Sequence, residues 1–463
     1  MKLGFGAMEF DINNQKDENG IIIAPAGCGK TESITNIIKN YDKIKKVLVL
    51  THTNAGIENI EKRLKKHNIS KSKCSIYTIA SFCSKYVKSF KEISRASDDS
   101  YDQIYIGMNN LLNNKHIRKI IENTYSLMLV DEYQDCSLIQ HSLIKKISNI
   151  IDFKILGDPL QAIYDFKEAS VKINDIINVD YKLLGYMTYP WRWSNNKELG
   201  NWIMKSRDEI IKGNINIFTS LPSCVEYFMY KDYVDLQKRA LNFLKLEGKK
   251  VVLFDLENQA NAFCKKLGGR FYFQEEIQCK ALNNITTFLD NNDGVNIIKE
   301  VINLGKLCFT NFVTELGNII KKIDKNDFDL SNISKNKNVA ESIMSSISNF
   351  SLSNVLQLLK EISSNTSLKI YRKELWNVLE ILIKESMKER EISSKELLAN
   401  IRNSTILNNK FKYNNMVSRI LLVKGLEFDN VFLVNPKELT PELLYVAISR
   451  PTKKLIVAQK LQN

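Results

Sequence analysis

Residues 21–31 read IIIAPAGCGKT, and the reading of this stretch decides the fold. Three consecutive isoleucines make a strand buried on both faces, as in the interior of a parallel sheet. Gly27 and Gly29 then open a turn, and a helix begins at about Lys30. Strand, glycine turn and helix together form a cradle for phosphate. Glycines let backbone N–H groups approach an anion closely, and the helix N-terminus adds its positive dipole. Lys30 is placed to reach the β- and γ-phosphates, and Thr31 to ligate Mg2+. The strict G-x-x-x-x-G-K-T expression is not met, because Ala24 stands where its first glycine would be. The flanking strand and helix nevertheless separate this loop from a chance glycine turn. The candidate nucleotide-binding residues here are Ala24, Pro25, Ala26, Gly27, Cys28, Gly29, Lys30, Thr31 and Glu32.

Three further stretches extend the site. Residues 127–135, LMLVDEYQD, end a second buried strand with Asp131 and Glu132 at its C-terminal edge, the edge where α/β sheets bind ligands. Asp131 suits a place beside Mg2+, and Glu132 suits orienting and deprotonating an attacking water. Residues 155–166, ILGDPLQAIYDF, bring Gln161, whose amide can bond both a γ-phosphate and that water. Residues 189–196, YPWRWSNN, set Arg192 between Trp191 and Trp193 in a chain with only four tryptophans. Alone, this cluster fits a cation–π pair in a core, a platform for nucleic-acid bases, or part of a nucleotide site.

The 463 residues allow two to four domains. Net charge is +14, from 66 Lys+Arg against 52 Asp+Glu, which admits a polyanionic partner without requiring one. The eight cysteines form no CxxC pair and the four histidines no His-x-Cys or HExxH pattern, which argues against a structural zinc site. MKLGFGAMEF carries no signal-peptide core, and no run approaches the ~18 apolar residues of a spanning helix. The expectation is a cytoplasmic protein with reduced thiols and no membrane partner.

Apolar runs at 20–24, 45–51, 74–79, 126–132 and 152–158 alternate with amphipathic helices. They predict an α/β fold, a parallel sheet covered on both faces. Residues 1–85 and 125–187 make this first lobe, interrupted by a polar, helical insert at 86–124. A second α/β lobe is expected at 188–275 and 415–463, with strands in EGKKVVLFDLE (247–257) and RILLVKGLEFDNVFLV (419–434). Residues 276–414, rich in Asn, Ser, Lys and Ile with helical periodicity, form a larger helical insert, with Trp376 as its core anchor. The basic segment EKRLKKHNISKSK (61–73) fits a solvated helix face or a phosphate contact.

In this order the motifs resemble those of superfamily 1A helicases of the UvrD/Rep/PcrA kind, in a short form. The resemblance rests on LTHTNAGIENIEKRL (50–64), YTIASF (77–82), VDEYQDCSLIQ (130–140), GDPLQAIYDF (157–166), YPWRWSNN (189–196), KGLEFDNVFLV (424–434) and LLYVAISRPTKKL (443–455). The acidic DEYQD string is the most specific of them. The resemblance implies two RecA-like lobes with ATP and Mg2+ between them. It makes Lys30, Asp131, Glu132 and Gln161 catalytic, with Arg192 and Arg450 as arginine fingers from the second lobe, each worth on the order of 10³–10⁵ in rate. Trp191 would stack on adenine, Gln15 is the nearest candidate for the adenine-reading glutamine, and Gly425 and Glu427 would lie at the ribose. His52, Tyr164 and Phe166 would face single-stranded nucleic acid, with Thr51, Thr53, Asn54, Thr78 and Lys167 on or near its backbone. Base–aromatic stacking of this kind is worth roughly 1–3 kcal/mol per base. The family usually has phenylalanine at His52, histidine at Ala80, tryptophan at Phe166, arginine at Lys167 and a T-x-H at Arg419 to Leu421. The ATP side is better kept than the track side. By position, 86–124 and 276–414 correspond to the family's accessory subdomains, both trimmed.

The first expectation is an ATP-driven 3′→5′ translocase or helicase on single-stranded DNA, or on a duplex with a single-stranded tail. The second is a regulatory, DNA-sensing ATPase subunit of a nuclease complex. In size and kind, the chain resembles the helicase subunits of bacterial antiphage systems such as Gabija. A third, an RNA-directed motor, is separated from the first by nothing in the sequence. The cysteines read as packing residues and Cys28, inside the loop, takes no catalytic role; the alternative for Cys28 is an ATPase sensitive to thiol oxidation or alkylation.

Overall fold

The structure is a computed structural model that describes residues 18–97, 100–164, 170–274, 280–388, 392–408 and 413–461. Gln15, Phe166 and Lys167 lie outside the described residues. The chain forms two compact units, Met1–Cys224 with Leu439–Thr452, and Val225–Glu438 with Lys453–Asn463.

The first unit is built on strands β1 (Gly20–Ile23), β2 (Lys46–Thr51), β3 (Cys74–Thr78), β4 (Tyr125–Val130), β5 (Asp152–Gly157) and β6 (Leu183–Tyr186). They form one sheet in the order β3-β2-β4-β5-β1-β6, with every pairing parallel. Successive side chains on a strand point to opposite faces. Ile21, Ile23, Leu48, Leu50, Met128 and Val130 share a core with residues of the helices Ile79–Ser89, Tyr101–Asn113 and Leu138–Ser148. Ile22, Val47, Val49, Leu127, Leu129 and Leu156 pack with the helices Lys30–Lys39 and Asn54–Lys66. Both faces are covered, so each strand reads as an unbroken apolar run.

Residues 86–124 do not stand off this body. The helices Tyr101–Asn113 and Lys115–Thr124 bury Ile104, Met108, Leu111, Ile117 and Ile121 in the core that holds β2 and β4. Gln140 Nε2 donates to Tyr105 Oη at 2.7 Å, and Lys146 Nζ donates to Asn109 and Asn113. The polar composition belongs to the outward faces, and a helical stripe faces the sheet.

The second unit contains β7 (Val225–Tyr230), β8 (Lys250–Phe254), β9 (Tyr272–Phe273), β10 (Phe309–Thr310), β11 (Lys369–Ile370), β12 (Asn415–Arg419), β13 (Phe428–Val434) and β14 (Pro451–Lys460). Six of them form a sheet in the order β7-β14-β13-β8-β12-β9. β12 pairs parallel with β8 and β9, β13 with β8, and β14 with β7. The fold class is thus α/β with two parallel-sheet lobes. The run at 419–434 is not one strand, because a 3-10 turn, Ile420–Val423, and a loop separate β12 from β13.

Between β9 and β12 lies a helical body running from Asn283–Asp290 to Ser394–Asn408, with its own hydrophobic core. Trp376 is buried there, edge-on to Phe309 at 4.9 Å, with Nε1 donating to Ser363 Oγ at 2.8 Å. β10 and β11 form an antiparallel pair within it. Among the described residues, no helix is long and apolar enough to cross a membrane.

Candidate nucleotide site

The loop after β1 has the backbone that its glycines allow. Ala24 N–H continues the sheet by donating to Gly157 O at 2.9 Å, and Cys28 N–H turns back to Pro25 O at 3.2 Å. Gly27 and Gly29 have φ of 75° and 86°, the left-handed region that costs other residues energy. Space adds a second reason. A Cβ on Gly27 would lie 2.7 Å from the Trp193 ring, and one on Gly29 would lie 2.9 Å from Trp191 Cδ1. The helix Lys30–Lys39 starts at Gly29, so its N-terminus faces the loop. Thr31 is half-buried in its first turn.

Lys30 crosses to the end of β4. Its Nζ lies 2.7 Å from Glu132 Oε2 and 3.7 Å from Asp131 Oδ1. Burial alone would lower the Lys30 pKa, but Glu132 and Asp131 outweigh burial and hold the ammonium charged. Burial raises the Asp131 pKa; Lys30 opposes the shift, Glu132 adds to it, and the net direction is up. Glu132 has φ 55°, a left-handed conformation uncommon outside glycine. Its N–H donates to Asp131 Oδ1 at 3.0 Å, and Gln134 Nε2 donates to its Oε2. Gln134 Oε1 in turn accepts the N–H of Asp158, at the end of β5, at 3.0 Å.

Gln161 is buried, its Nε2 donating to Asp158 Oδ2 at 3.0 Å. Arg192 and Arg450 both belong to the unit that carries the loop, not to the other one as the resemblance implied. The cause is local. Arg192 N–H donates to Gly27 O at 3.0 Å, and its Nη1 donates to Ser449 O at 2.8 Å. Trp193 is buried under the loop with Nε1 on Pro451 O at 2.6 Å, and Arg192 lies 5.5 Å from its ring centroid. Trp191 is exposed, its ring 4.4 Å from that of Tyr189 and tilted by 56°. Arg450 is buried, with Nε donating to Val446 O at 2.8 Å. Tyr445, Arg207 and Asp158 join the site only in the folded chain. Tyr445 Oη accepts Ala26 N–H at 3.0 Å, and Arg207 Nη2 pairs with Asp158 Oδ1 at 2.9 Å. No residue pattern marks them, because the contacts form only in three dimensions.

Several expectations change. Glu32 is not turned to the loop: its carboxylate pairs with Arg63 at 2.5 Å and with His67 at 2.6 Å. Cys28 is buried against Met204, and burial, with Asp158 next, pushes its thiol up to about 12, which favours the packing reading over a reactive thiol. Tyr164 is half-buried rather than open to solvent, and burial, then Asp135 and Glu132, raise its hydroxyl pKa. Gly425 (φ 79°) and Glu427 lie in the second unit, on the loop before β13.

The remaining track-side candidates meet at one edge of the first sheet. Thr51 and Thr78 are register partners at the C-terminal ends of β2 and β3. Thr51 is buried, while Thr53 and Asn54 are exposed. Thr53 and Thr78 cap helices through their side chains, accepting from Gly56 N–H and Ser81 N–H. His52 Nε2 lies 3.4 Å from Cys136 Sγ, beside the carboxylate turn. In the basic segment, Lys62, Arg63 and Lys71 pair with Glu58, Glu32 and Glu61, which favours the solvated-face reading.

With this geometry in place, comparison with known proteins is informative. Residues 11–167 match the AAA domain family. The chain is similar to RecBCD enzyme subunit RecB of Buchnera aphidicola subsp. Schizaphis graminum, 28% identical over 169 residues, 36% of this chain and 13% of that protein. It is similar to ATP-dependent DNA helicase Rep of the same organism, 32% identical over 131 residues, 28% of this chain and 19% of that protein. Among solved structures, Pif1 helicase from Candida albicans aligns at TM-score 0.33 and 12% identity over 55% of this chain and 51% of that one, a likeness too low to carry a fold assignment. The chain spans less than a fifth of the length of either curated relative.

Proposed function

We propose that the chain hydrolyses ATP with Mg2+ at the loop of the first unit and uses the cycle to move 3′→5′ along single-stranded DNA. The observation that carries this reading is the Lys30 ammonium held against Glu132 and Asp131 beneath a loop of left-handed glycines. A triphosphate suits these residues: the loop offers backbone N–H groups, and Lys30 offers a charge now spent on carboxylates. Thr31 and Asp131 would hold Mg2+, which would supply positive charge against the phosphates. Glu132 takes the proton of the attacking water, Gln161 orients that water, and Arg192 and Arg450 stabilise charge on the transferred phosphoryl group. Trp191, exposed beside Gly29, offers adenine a face, while His52, Thr53 and Thr78 gather on the edge where the DNA would run.

Substituting Glu132→Gln tests the reading. The variant keeps ATP affinity and loses all but ~1% of turnover or less, in the range of a lost general base. Unchanged turnover contradicts the assignment.

A second reading is favoured by the similarity to RecBCD enzyme subunit RecB, a subunit of a larger enzyme. In this reading the chain is a DNA-sensing ATPase subunit controlling a nuclease partner, as in Gabija-type antiphage defence. Gel filtration with products of neighbouring genes separates the two; a chain that stays alone and unwinds a tailed duplex excludes the second. An RNA track is excluded if oligo-dT, and not oligo-rU, stimulates hydrolysis.

A further inference from the structure

Arg207 lies on the helix Lys197–Ile211, away from every motif, yet it is deeply buried. Its Nη2 pairs with Asp158 Oδ1 at 2.9 Å, the two side chains being 5% and 0% exposed. The other carboxylate oxygen, Asp158 Oδ2, accepts Gln161 Nε2 at 3.0 Å. The Arg207 guanidinium also lies 5.7 Å from the ring centroid of Tyr445, whose hydroxyl oxygen accepts Ala26 N–H from the phosphate loop. One buried cation therefore touches the partner of the glutamine and the partner of the loop.

We propose that Arg207 is a positioning residue: by pairing with Asp158 it sets the carboxamide of Gln161, and through Tyr445 it ties that setting to the phosphate loop. This rests on the ATP-hydrolysis reading above. The chemistry follows from the donor inventory. An ionised carboxylate only accepts, so Asp158 holds Gln161 by its NH2 end and turns its carbonyl oxygen the opposite way. A carbonyl oxygen so turned is the acceptor that an attacking water needs. Without Arg207, the Asp158 carboxylate loses the partner that fixes its orientation, and the amide loses its fixed sense. A purely structural role accounts for less. Buried ion pairs add little stability over apolar residues of the same volume. Arg207 Nε is also buried without a hydrogen-bond partner among the described residues, a cost that a pair kept for stability alone would not carry.

The test compares wild type, Arg207→Met, Arg207→Lys and the double variant Arg207→Met/Asp158→Leu. Each is measured for kcat, KM for ATP, melting temperature, and the melting rise given by ADP and by ADP with aluminium fluoride. Arg207→Met is expected to lose on the order of 10²-fold in kcat with little change in KM, the size of effect of a misplaced group. Arg207→Lys recovers part of it. The double variant removes both buried charges and so recovers part of the melting temperature, yet its kcat stays low because Gln161 has lost its acceptor. Wild type gains more from the fluoride complex, a transition-state mimic, than from ADP, and the double variant gains equally from both. A double variant with wild-type kcat, or with the wild-type preference for the mimic, overturns the proposal, and it decides the matter even if Arg207→Met does not fold. A wild type that gains from neither ligand instead refutes the nucleotide reading on which the proposal rests.

Discussion

Trp191, Arg192 and Trp193 carry three different jobs in three consecutive positions. Trp193 is buried under Gly27, Trp191 stays exposed beside Gly29, and Arg192 bonds the Gly27 carbonyl through its backbone and Ser449 through its side chain. Arg192→Ala is expected to slow hydrolysis by ~10³-fold or more while leaving DNA affinity nearly unchanged, because it removes charge at the phosphates alone. Steady-state ATPase beside fluorescence anisotropy of labelled oligo-dT checks both halves. Gly27→Ala meets a backbone φ of 75° and a tryptophan ring 2.7 Å away, so it is expected to lower stability by ~1–3 kcal/mol and to weaken nucleotide binding, read by melting with and without ADP. Cys28 gives a pH prediction. Burial pushes its thiol from the ordinary value of 9.0 up to about 12 in the folded chain. Below pH 9 both states hold the proton and the contribution is intact; above it the unfolded state releases the proton first, and stability is lost as pH rises through the folded value. Melting temperatures should therefore fall more steeply between pH 8.5 and 10 for wild type than for Cys28→Ser. At this scale the sequence was informative where chemistry is local: a glycine before lysine, two carboxylates after an apolar run. Arg207 and Tyr445 were not legible, since a single arginine on an amphipathic helix gives no sign of the aspartate it meets.

The elements follow a similar rule. β1, β2, β4 and β5 are buried on both faces, so their residues form apolar runs with visible ends. β14 is not legible in the sequence because PTKKLIVAQK carries two lysines near its start, Lys453 and Lys454, which pair with Asp429 and Glu226. The segment 86–124 was read as a polar insert because its solvated residues outnumber the stripe Ile104, Met108, Leu111 that packs on the sheet. Met108→Ala is expected to destabilise the first unit by ~2–5 kcal/mol, the cost of a large-to-small change in a packed core. Urea unfolding followed by circular dichroism measures it. A change within about 0.5 kcal/mol, typical of a surface site, would return the segment to a peripheral role. The helical body around Trp376 has a core of its own, so a fragment of residues 281–401 is expected to be helical and to melt cooperatively.

On the scale of the whole chain, two parallel-sheet units carry a net charge of +14. A polyanionic track makes affinity fall linearly with salt on logarithmic axes, with a slope of about −0.7 for each phosphate neutralised on a single strand. The fold class and the order of the motifs were legible because both depend on short-range pattern. The assignment of 188–224 and 439–452 to the unit with the loop was not, because it depends on where Arg192, Trp193 and Tyr445 dock. ATP hydrolysis at the loop of the first unit is proposed to serve a single-stranded DNA track. Its most direct measurement is the ATPase rate of the intact chain titrated with single-stranded DNA at low salt. A saturable rise of about tenfold or more, abolished by Glu132→Gln, is expected. A rate unchanged by single-stranded DNA of every length would contradict it.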